Sequence, residues 1–263
     1  MSNDVETPVL LNLSGHVLTV TINRPAARNA LRVADKRRIA DILDEAAAGD
    51  ARCVVLTGAG DQAFCAGSDL KEMSKMDTAG FLAMERVEAQ MYDAIMRNPL
   101  PVIAAVHGWA LGTGCVLAAA SDLVVADPGA NFGQPEILNG APTPIHGALL
   151  PRIVGLNRAR WLVLTGRTIT AATALDWGLV SEVSPPGAAL DVAQTLAASL
   201  VEDVHPGSMA LQKQIVDGWV RHSFGAAVDG SMFIAATAYG SGWPQSAAAR
   251  MRGRRLRRTG EAG

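Results

Sequence analysis

The stretch from Pro101 to Glu136 constrains the fold of this chain more than any other. It opens with the apolar run P-V-I-A-A-V, passes through the turn G-W-A-L-G-T-G and continues with C-V-L-A-A-A, S-D and L-V-V-A. The first and last runs are short and apolar, which predicts buried strands over Pro101–His107 and Leu123–Ala126. The alanine-rich run between them predicts a helix over Gly112–Ala120. Strands that alternate with helices in this way predict an α/β layer fold.

The same alternation occurs earlier in the chain. Alternating apolar and polar residues around Ser14-Gly15-His16 predict a hairpin over Val9–Asn23. Helical apolar spacing predicts a helix over Ala30–Ala48, and Cys53–Thr57 is predicted to be a short buried strand.

The chain changes character after about Pro185, where no further strand is predicted. Helical spacing predicts helices over 188–204, 206–222, 224–239 and 244–256. We therefore expect an α/β core over residues 1–200 and a C-terminal helical region over residues 201–263, which would either cap the site or mediate oligomerisation.

Composition excludes several classes of protein. Hydrophobic residues make up 49% of the 263 residues and charged residues 18%, which excludes global disorder. The net charge is −2, so neither nucleic acid nor an anionic membrane is expected as a partner. No apolar run reaches the roughly 18 residues that a membrane-spanning helix needs. Cys53, Cys65 and Cys115 lie in unrelated segments without zinc-ligand spacing, so no metal is expected. With no secretory leader recognised, they fit a reducing cytoplasm.

Five segments, taken together, resemble the crotonase (enoyl-CoA hydratase/isomerase) family in order and spacing. Besides the glycine-containing turn described above, they are N-R-P-A-A-R-N-A-L at 23–31, F-C-A-G-S-D-L at 64–70, N-F-G-Q-P-E at 131–136 and L-T-G-R-T-I-T-A-A-T-A-L-D-W-G-L-V at 164–180. The resemblance implies a core of ββα units wound as a spiral, followed by helices that assemble the chain into a homotrimer or homohexamer. It also implies an acyl-CoA thioester as substrate, with coenzyme A entering as part of that substrate and no separate cofactor.

The resemblance assigns two backbone donors to an oxyanion hole. They are the N–H of Ser68, after Ala66-Gly67, and the N–H of Thr113, at the start of the predicted helix. A thioester enolate places negative charge on its oxygen, and preorganised N–H groups at helix starts stabilise such charge. The family usually has glycine where Thr113 stands, but the contribution comes from the backbone.

Two positions carry the acid–base chemistry in the hydratases of this family. Glu136 fills the second, and apolar neighbours such as Phe132 and Leu138 would raise its pKa and suit it to proton transfer. The first position, two residues after Gly114, is Val116, which cannot transfer a proton. Substitutes for the missing acid are Asp69, Glu72, Asp122 and His146. Among these, Asp122 is expected to form hydrogen bonds in the core. His146, in a loop that the resemblance places near the acyl pocket, is the catalytic candidate.

The coenzyme A side is implied by the resemblance alone. Arg28, Ala66 and the backbone of Ser68–Leu70, which includes Asp69, align with positions that contact the nucleotide part of coenzyme A. Lys71 would add positive charge near its phosphates. The arginine-rich segment Arg250–Arg258 either reaches those phosphates or is a solvated tail.

A single carboxylate favours double-bond isomerisation over hydration, because hydration divides its work between two acids. The alternatives are a specialised enoyl- or dienoyl-CoA hydratase, or a hydrolase, that uses another acid such as His146, and a non-catalytic acyl-CoA-binding protein. The acyl pocket is expected to take its walls from residues 73–96 and from the C-terminal helices. Its acyl preference is not encoded in any motif.

Overall fold

The structure is a computed structural model that describes residues 7–246. The chain divides into two compact units, with the boundary between Glu202 and Asp203. The predicted segments 250–258 and most of 244–256 lie outside the described residues.

Six strands form the larger sheet of the first unit. A hairpin with its turn at Gly15 supplies the first two strands, as predicted, and the other four join in parallel. In sheet order they are β1 (Val9–Ser14), β2 (Val17–Ile22), β3 (Cys53–Gly58), β5 (Val102–Val106), β7 (Leu123–Ala126) and β10 (Glu182–Val183).

Four shorter strands form a second sheet that the sequence patterns do not predict. In sheet order they are β4 (Ala63–Cys65), β6 (Trp109–Leu111), β8 (Asn131–Gly133) and β9 (Thr168–Thr170). Each of β3, β5 and β7 contributes to the first sheet, and the strand that follows it contributes to the second. The chain therefore passes repeatedly from one sheet to the other, which gives the predicted spiral of ββα units.

Ten α-helices and three short 3₁₀ helices are found among residues 7–246. The α-helices are α1 (Val33–Ala48), α2 (Leu70–Met73), α3 (Thr78–Met96), α4 (Thr113–Ala120), α5 (Leu150–Ile153), α6 (Leu156–Thr165), α7 (Ala171–Asp176), α8 (Ala189–Asp203), α9 (Pro206–Arg221) and α10 (Phe224–Gly240). The 3₁₀ helices are Pro25–Ala27, Pro135–Asn139 and Ile145–Leu149. Within this described range, no helix is long and apolar enough to cross a membrane.

Helix α8 covers one face of the larger sheet. Ala189, Ala193 and Ala197 recur every four residues on one side of the helix and pack against buried strand residues such as Val55 and Ile103. In the second unit, α9 and α10 pack against each other.

Two close contacts place α4 and the strands around it. The side chain of Asp122 accepts the predicted hydrogen bond, of 2.7 Å from the N–H of Val102, but Asp122 is exposed and does not lie in the core. Gly114 lies so close to β4 that a Cβ on it would be 2.0 Å from the carbonyl oxygen of Cys65. Only glycine therefore allows the start of α4 to approach the end of β4 in this way.

Candidate active site

One cavity of about 360 Å³ collects most of the predicted site residues. It lies between the turn after β4, the start of α4, the 3₁₀ helix Pro135–Asn139 and one side of α3. Its lining is Ala66, Gly67, Ser68, Leu70, Met73, Ser74, Phe81, Met84, Glu85, Glu88, Gly112, Thr113, Pro135, Glu136, Asn139, Ala141, Pro142 and Pro144. Residues 73–96 thus supply a wall, as predicted.

Two glycines bring the elements of the cavity together. Gly112 has φ 53°, and a Cβ on it would lie 2.6 Å from Glu136 Oε1 and 3.9 Å from Gly67 Cα. Gly67 has φ 110°, and a Cβ there would lie 3.9 Å from the nitrogen of Thr113. Both backbone conformations favour glycine, and the approach of Glu136 to Gly112 also needs the missing side chain. The Glu136 carboxyl group and the two turns therefore meet at Gly112.

The N–H groups of Ser68 and Thr113 are available as donors. Neither is hydrogen-bonded to another group in the described part of the chain, although its neighbours are: Asp69 N–H donates to the Leu31 carbonyl, and Gly112 N–H donates to the Gly133 carbonyl. Thr113 is the first residue of α4, where backbone N–H groups have no partner within the helix. Two unused N–H donors therefore border one cavity.

The backbone just before Glu136 is joined to Gly112, and the Glu136 side chain is bonded to Thr143. The Gly112 N–H donates to the Gly133 carbonyl at 2.9 Å, and Gln134 Nε2 donates to the Gly112 carbonyl at 3.1 Å. Thr143 Oγ1 donates to Glu136 Oε2 at 3.3 Å. Burial raises the pKa of Glu136, and the negative charge of Glu88 adds to that rise, while Thr143 opposes it. A raised pKa suits a carboxyl group that exchanges protons near neutral pH.

A second, fully hydrogen-bonded carboxylate lies under the two turns. Glu88 forms a buried ion pair with Lys36, and accepts hydrogen bonds from Tyr92 at 2.6 Å, Thr113 Oγ1 at 3.0 Å and Ser68 Oγ at 3.2 Å. Burial alone raises the pKa of Glu88, but Lys36 and the hydroxyl donors outweigh it, so the pKa lies below its usual range. Glu88 is therefore the ionised member of the cavity wall.

The same network holds both oxyanion-hole candidates. Lys36 Nζ donates to Ser68 Oγ at 2.7 Å, and Ser68 Oγ lies 2.8 Å from Thr113 Oγ1. The hydroxyl groups of Ser68 and Thr113 are thus held by Glu88 and by each other. Their backbone N–H groups take no part in this network. Preorganised donors of this kind cost no rearrangement when charge develops.

Comparison with known proteins identifies the family. The enoyl-CoA hydratase/isomerase family model matches residues 12–226. The chain is 36% identical over 212 residues to the short-chain-enoyl-CoA hydratase of Clostridium acetobutylicum, with 80% of each chain covered. It is 33% identical over 216 residues to the 1,2-epoxyphenylacetyl-CoA isomerase of Escherichia coli, covering 80% of this chain and 81% of the relative.

The fold agrees with that match. The crystal structure of an enoyl-CoA hydratase of Mycobacterium smegmatis superimposes with a TM-score of 0.84 at 32% identity, covering 88% of this chain and 91% of that one. The chain belongs to the enoyl-CoA hydratase/isomerase family. It is accordingly an acyl-CoA enzyme of the lyase or isomerase type, and the cavity around Gly112 is its candidate active site.

The structure of this family member brings Glu136, Ser68 and Thr113 together but leaves His146 outside the lining of the cavity. The His146 ring packs against Tyr92 with ring centroids 5.1 Å apart, and its Nε2 lies 3.5 Å from Asp93 Oδ1. Val116 is 4% exposed and borders a separate void of about 20 Å³ that Glu136 also borders. The residue at the first hydratase position thus adds no charge to the site.

Two acids suggested as substitutes have structural tasks instead. Asp69 accepts hydrogen bonds from Arg24 at 3.1 Å and from the N–H groups of Lys71 and Glu72 at the start of α2. Glu72 accepts a hydrogen bond of 2.8 Å from the N–H of Val33. Both carboxylates therefore hold α1 and α2 in place.

The coenzyme A candidates divide into two groups. Ala66, Ser68 and Leu70 line the cavity, whereas Arg28, Asp69 and Lys71 do not. Arg28 is nevertheless joined to the turn, because its carbonyl accepts a hydrogen bond of 3.0 Å from the Ala66 N–H.

The sequence patterns missed Lys36, Glu85, Glu88, Tyr92 and Thr143. One signal for the two glutamates was present: both stand at helical spacing from the apolar residues Phe81 and Met84, on the side of α3 that a core would cover. Lys36 and Thr143 carried no such signal, because only the fold brings them to the site.

We predict that Lys36→Met destabilises the protein by about 3–5 kcal/mol, because Glu88 would remain buried without its counter-charge. The measurement is the free energy of unfolding in urea. Arg38→Met, which breaks the exposed pair with Glu45 on the same helix, is the control and should cost less than about 1 kcal/mol. Equal losses in the two variants would show that the buried pair has no special role.

Proposed function

We propose that the protein is an enoyl-CoA isomerase that moves a double bond through a thioester enolate. Glu136 transfers the proton, and the N–H groups of Ser68 and Thr113 bind the enolate oxygen. The observation that carries this proposal is the meeting of one carboxyl group and two unused N–H donors across Gly112.

The reaction begins at the α-carbon of the bound acyl group. Glu136 removes the α-proton, and the electron pair moves toward the thioester carbonyl, whose oxygen becomes negative. Two backbone N–H donors at that oxygen lower the barrier, and losing one such donor typically costs about 2.7–4 kcal/mol. Returning a proton to the γ-carbon completes the shift of the double bond from the 3- to the 2-position.

Val116 supports isomerisation over hydration. By the family resemblance, Val116 occupies the position of the first hydratase glutamate. Valine can neither activate water nor deliver a proton. One relative is named an isomerase and another a hydratase, so family membership alone does not decide between the two reactions. Hydration or hydrolysis assisted by His146 is the weaker candidate, because His146 faces Tyr92 and Asp93 rather than the cavity.

Coenzyme A enters this proposal as part of the substrate, and no further cofactor is required. Ala66, Ser68 and Leu70 would border the thioester end, where they line the cavity. Arg28 and the exposed Lys71 would meet the phosphates, which cationic side chains bind. Asp69 would contribute by shaping the turn, since its carboxylate is bonded to Arg24 and its N–H to the Leu31 carbonyl.

We further propose that the second unit assembles the protein into a homotrimer or homohexamer. Helix α10 leaves large apolar side chains exposed, with Phe224 86% and Phe233 77% accessible. Analytical ultracentrifugation should find an oligomer that Phe233→Glu weakens, whereas Asp229→Asn on the same helix should leave it intact. A monomeric parent protein would refute the assembly.

For Glu136 we predict that Glu136→Gln lowers isomerisation of 3-hexenoyl-CoA at least about 100-fold, because the glutamine cannot transfer a proton. The measurement is product formation together with exchange of α-protons in heavy water. Because burial raises the pKa of Glu136, the parent should lose kcat/KM as the pH falls through a value above the ordinary 4.5. Thr143→Val should move this limb to still higher pH, since Thr143 stabilises the ionised form.

Thermal stabilisation by acyl-CoA in Glu136→Gln is the control for substrate binding. Full activity of that variant would refute the mechanism. Binding of acyl-CoA by the parent without isomerisation, hydration or α-proton exchange would instead show a non-catalytic binding protein.

The role of Val116 gives a gain-of-function prediction. Val116→Glu should raise the ratio of hydration to isomerisation by at least about tenfold, because it places a carboxylate at the position where the hydratases of this family carry their first glutamate. The ratio is measured from 3-hydroxyacyl-CoA and 2-enoyl-CoA products. Val116→Gln is the matched control for size and polarity, and an equal change in both variants would exclude a carboxylate effect.

A further inference from the structure

One side of α3 presents four residues to the cavity at helical spacing. Phe81, Met84, Glu85 and Glu88 follow the i, i+3, i+4, i+7 pattern of a buried helix side, and all four line the cavity. Two of these core-facing positions therefore carry acids. Glutamate is seldom buried unless it is paired.

The two acids differ in how their charge is compensated. Glu88 is saturated by Lys36 and by three hydroxyl groups. Glu85 is only 8% exposed, and its Oε2 has no hydrogen-bond partner among the described residues. A buried polar atom that lacks a hydrogen-bond partner destabilises the folded state. Core packing therefore does not explain why a glutamate occupies position 85.

The surroundings of Glu85 favour its protonated form. Burial is the main cause and raises the pKa of Glu85 to about 7, and the charges of Glu88 and Glu136 add to the rise while Lys36 opposes it. A carboxyl group that is half protonated near neutral pH can donate a proton as readily as accept one. Glu85 also borders the same cavity as Glu136, from a different wall.

We propose that Glu85 is a second catalytic acid–base residue, which delivers the proton to the γ-carbon after Glu136 has removed the proton from the α-carbon. This inference rests on the proposed isomerisation. The α C–H bond breaks and its electrons pass into the enolate; when the enolate oxygen restores the carbonyl, the C1–C2 electrons form the new C2–C3 double bond. The electrons of the former C3–C4 double bond take the proton of the Glu85 carboxylic acid. Glu136 then holds a proton and Glu85 has lost one, and proton exchange with water restores both.

The assignment gives Glu136 a second acid in the same cavity. It does so from α3 rather than from α4, where Val116 stands. The site would then divide its proton transfers between two carboxyl groups, although only one of them lies at a hydratase position.

The test measures α-proton exchange and isomerisation separately in the full-length protein. In heavy water, a saturated acyl-CoA reports removal and return of the α-proton alone, and 3-hexenoyl-CoA reports the complete double-bond shift. Glu85→Gln should keep α-proton exchange within about threefold of the parent and lower isomerisation at least about 100-fold. Glu45→Gln, a change of an exposed acid on α1, should alter neither rate.

The outcomes separate the two proposals. Isomerisation by Glu85→Gln at the parent rate, or equal losses of exchange and isomerisation, would overturn the role of Glu85. A parent protein without α-proton exchange and without isomerisation would instead refute the proposed function. A parent that exchanges α-protons and isomerises only with Glu85 present supports both.

Stability gives a readout that controls for folding. A carboxyl group whose pKa is raised by folding binds more protons in the native state, so the parent should lose stability as the pH rises from 4.5 to about 7. Glu85→Gln should remove that part of the loss and have a higher melting temperature than the parent at pH 8. A variant that is more stable yet does not isomerise would show that Glu85 is kept for chemistry. A melting temperature lowered at every pH would show that Glu85 is structural.

Discussion

The buried carboxylate of Glu88 is the interaction on which the site depends. It joins α1 through Lys36, the turn after β4 through Ser68 and the start of α4 through Thr113, while Tyr92 completes its hydrogen bonds from α3. Because a charge in the core is tolerated only when it is paired and hydrogen-bonded, these partners must all be in place at once. The requirement fixes the two turns that carry the unused N–H groups. The glycines at 67 and 112 then let those turns and Glu136 approach each other.

Three carboxyl groups line one cavity, and their surroundings give them different properties. Glu88 is kept ionised by Lys36, whereas burial raises the pKa values of Glu85 and Glu136. The charge of Glu88 itself contributes to both rises. One ionised carboxylate and two carboxyl groups with raised pKa values therefore share the cavity, which follows the general pattern of sites that separate the roles of acids by environment.

Much of the fold could be predicted from local patterns. The hairpin, the buried strands and the helices α1, α4, α8, α9 and α10 lie where periodicity placed them, within a few residues at each end. The second sheet was missed because its strands are only three residues long and their partners are distant in sequence. Such short runs carry too little periodicity to be told from loops.

The site residues, too, were only partly predictable from the sequence. Motifs around Ser68, Thr113 and Glu136 were recognisable because glycine turns and a helix start leave marks in a single segment. His146 was only a candidate for a missing partner in the sequence, and the fold turns it toward Asp93 and Tyr92. Lys36, Glu85 and Glu88 could not be assigned in advance, since their roles arise from burial and from partners far along the chain.

The sequence by itself determined the family, the alternation of strands and helices, and the absence of a carboxylate at position 116. These properties follow from residue identity and short-range spacing, which a chain carries before it folds. Only the tertiary structure decided which acids share the cavity and which of them is paired. The reason is that pairing depends on distances and burial in the folded chain. Lys36 neutralises Glu88. Glu85 keeps an oxygen without a partner among the described residues and lines the same cavity as Glu136.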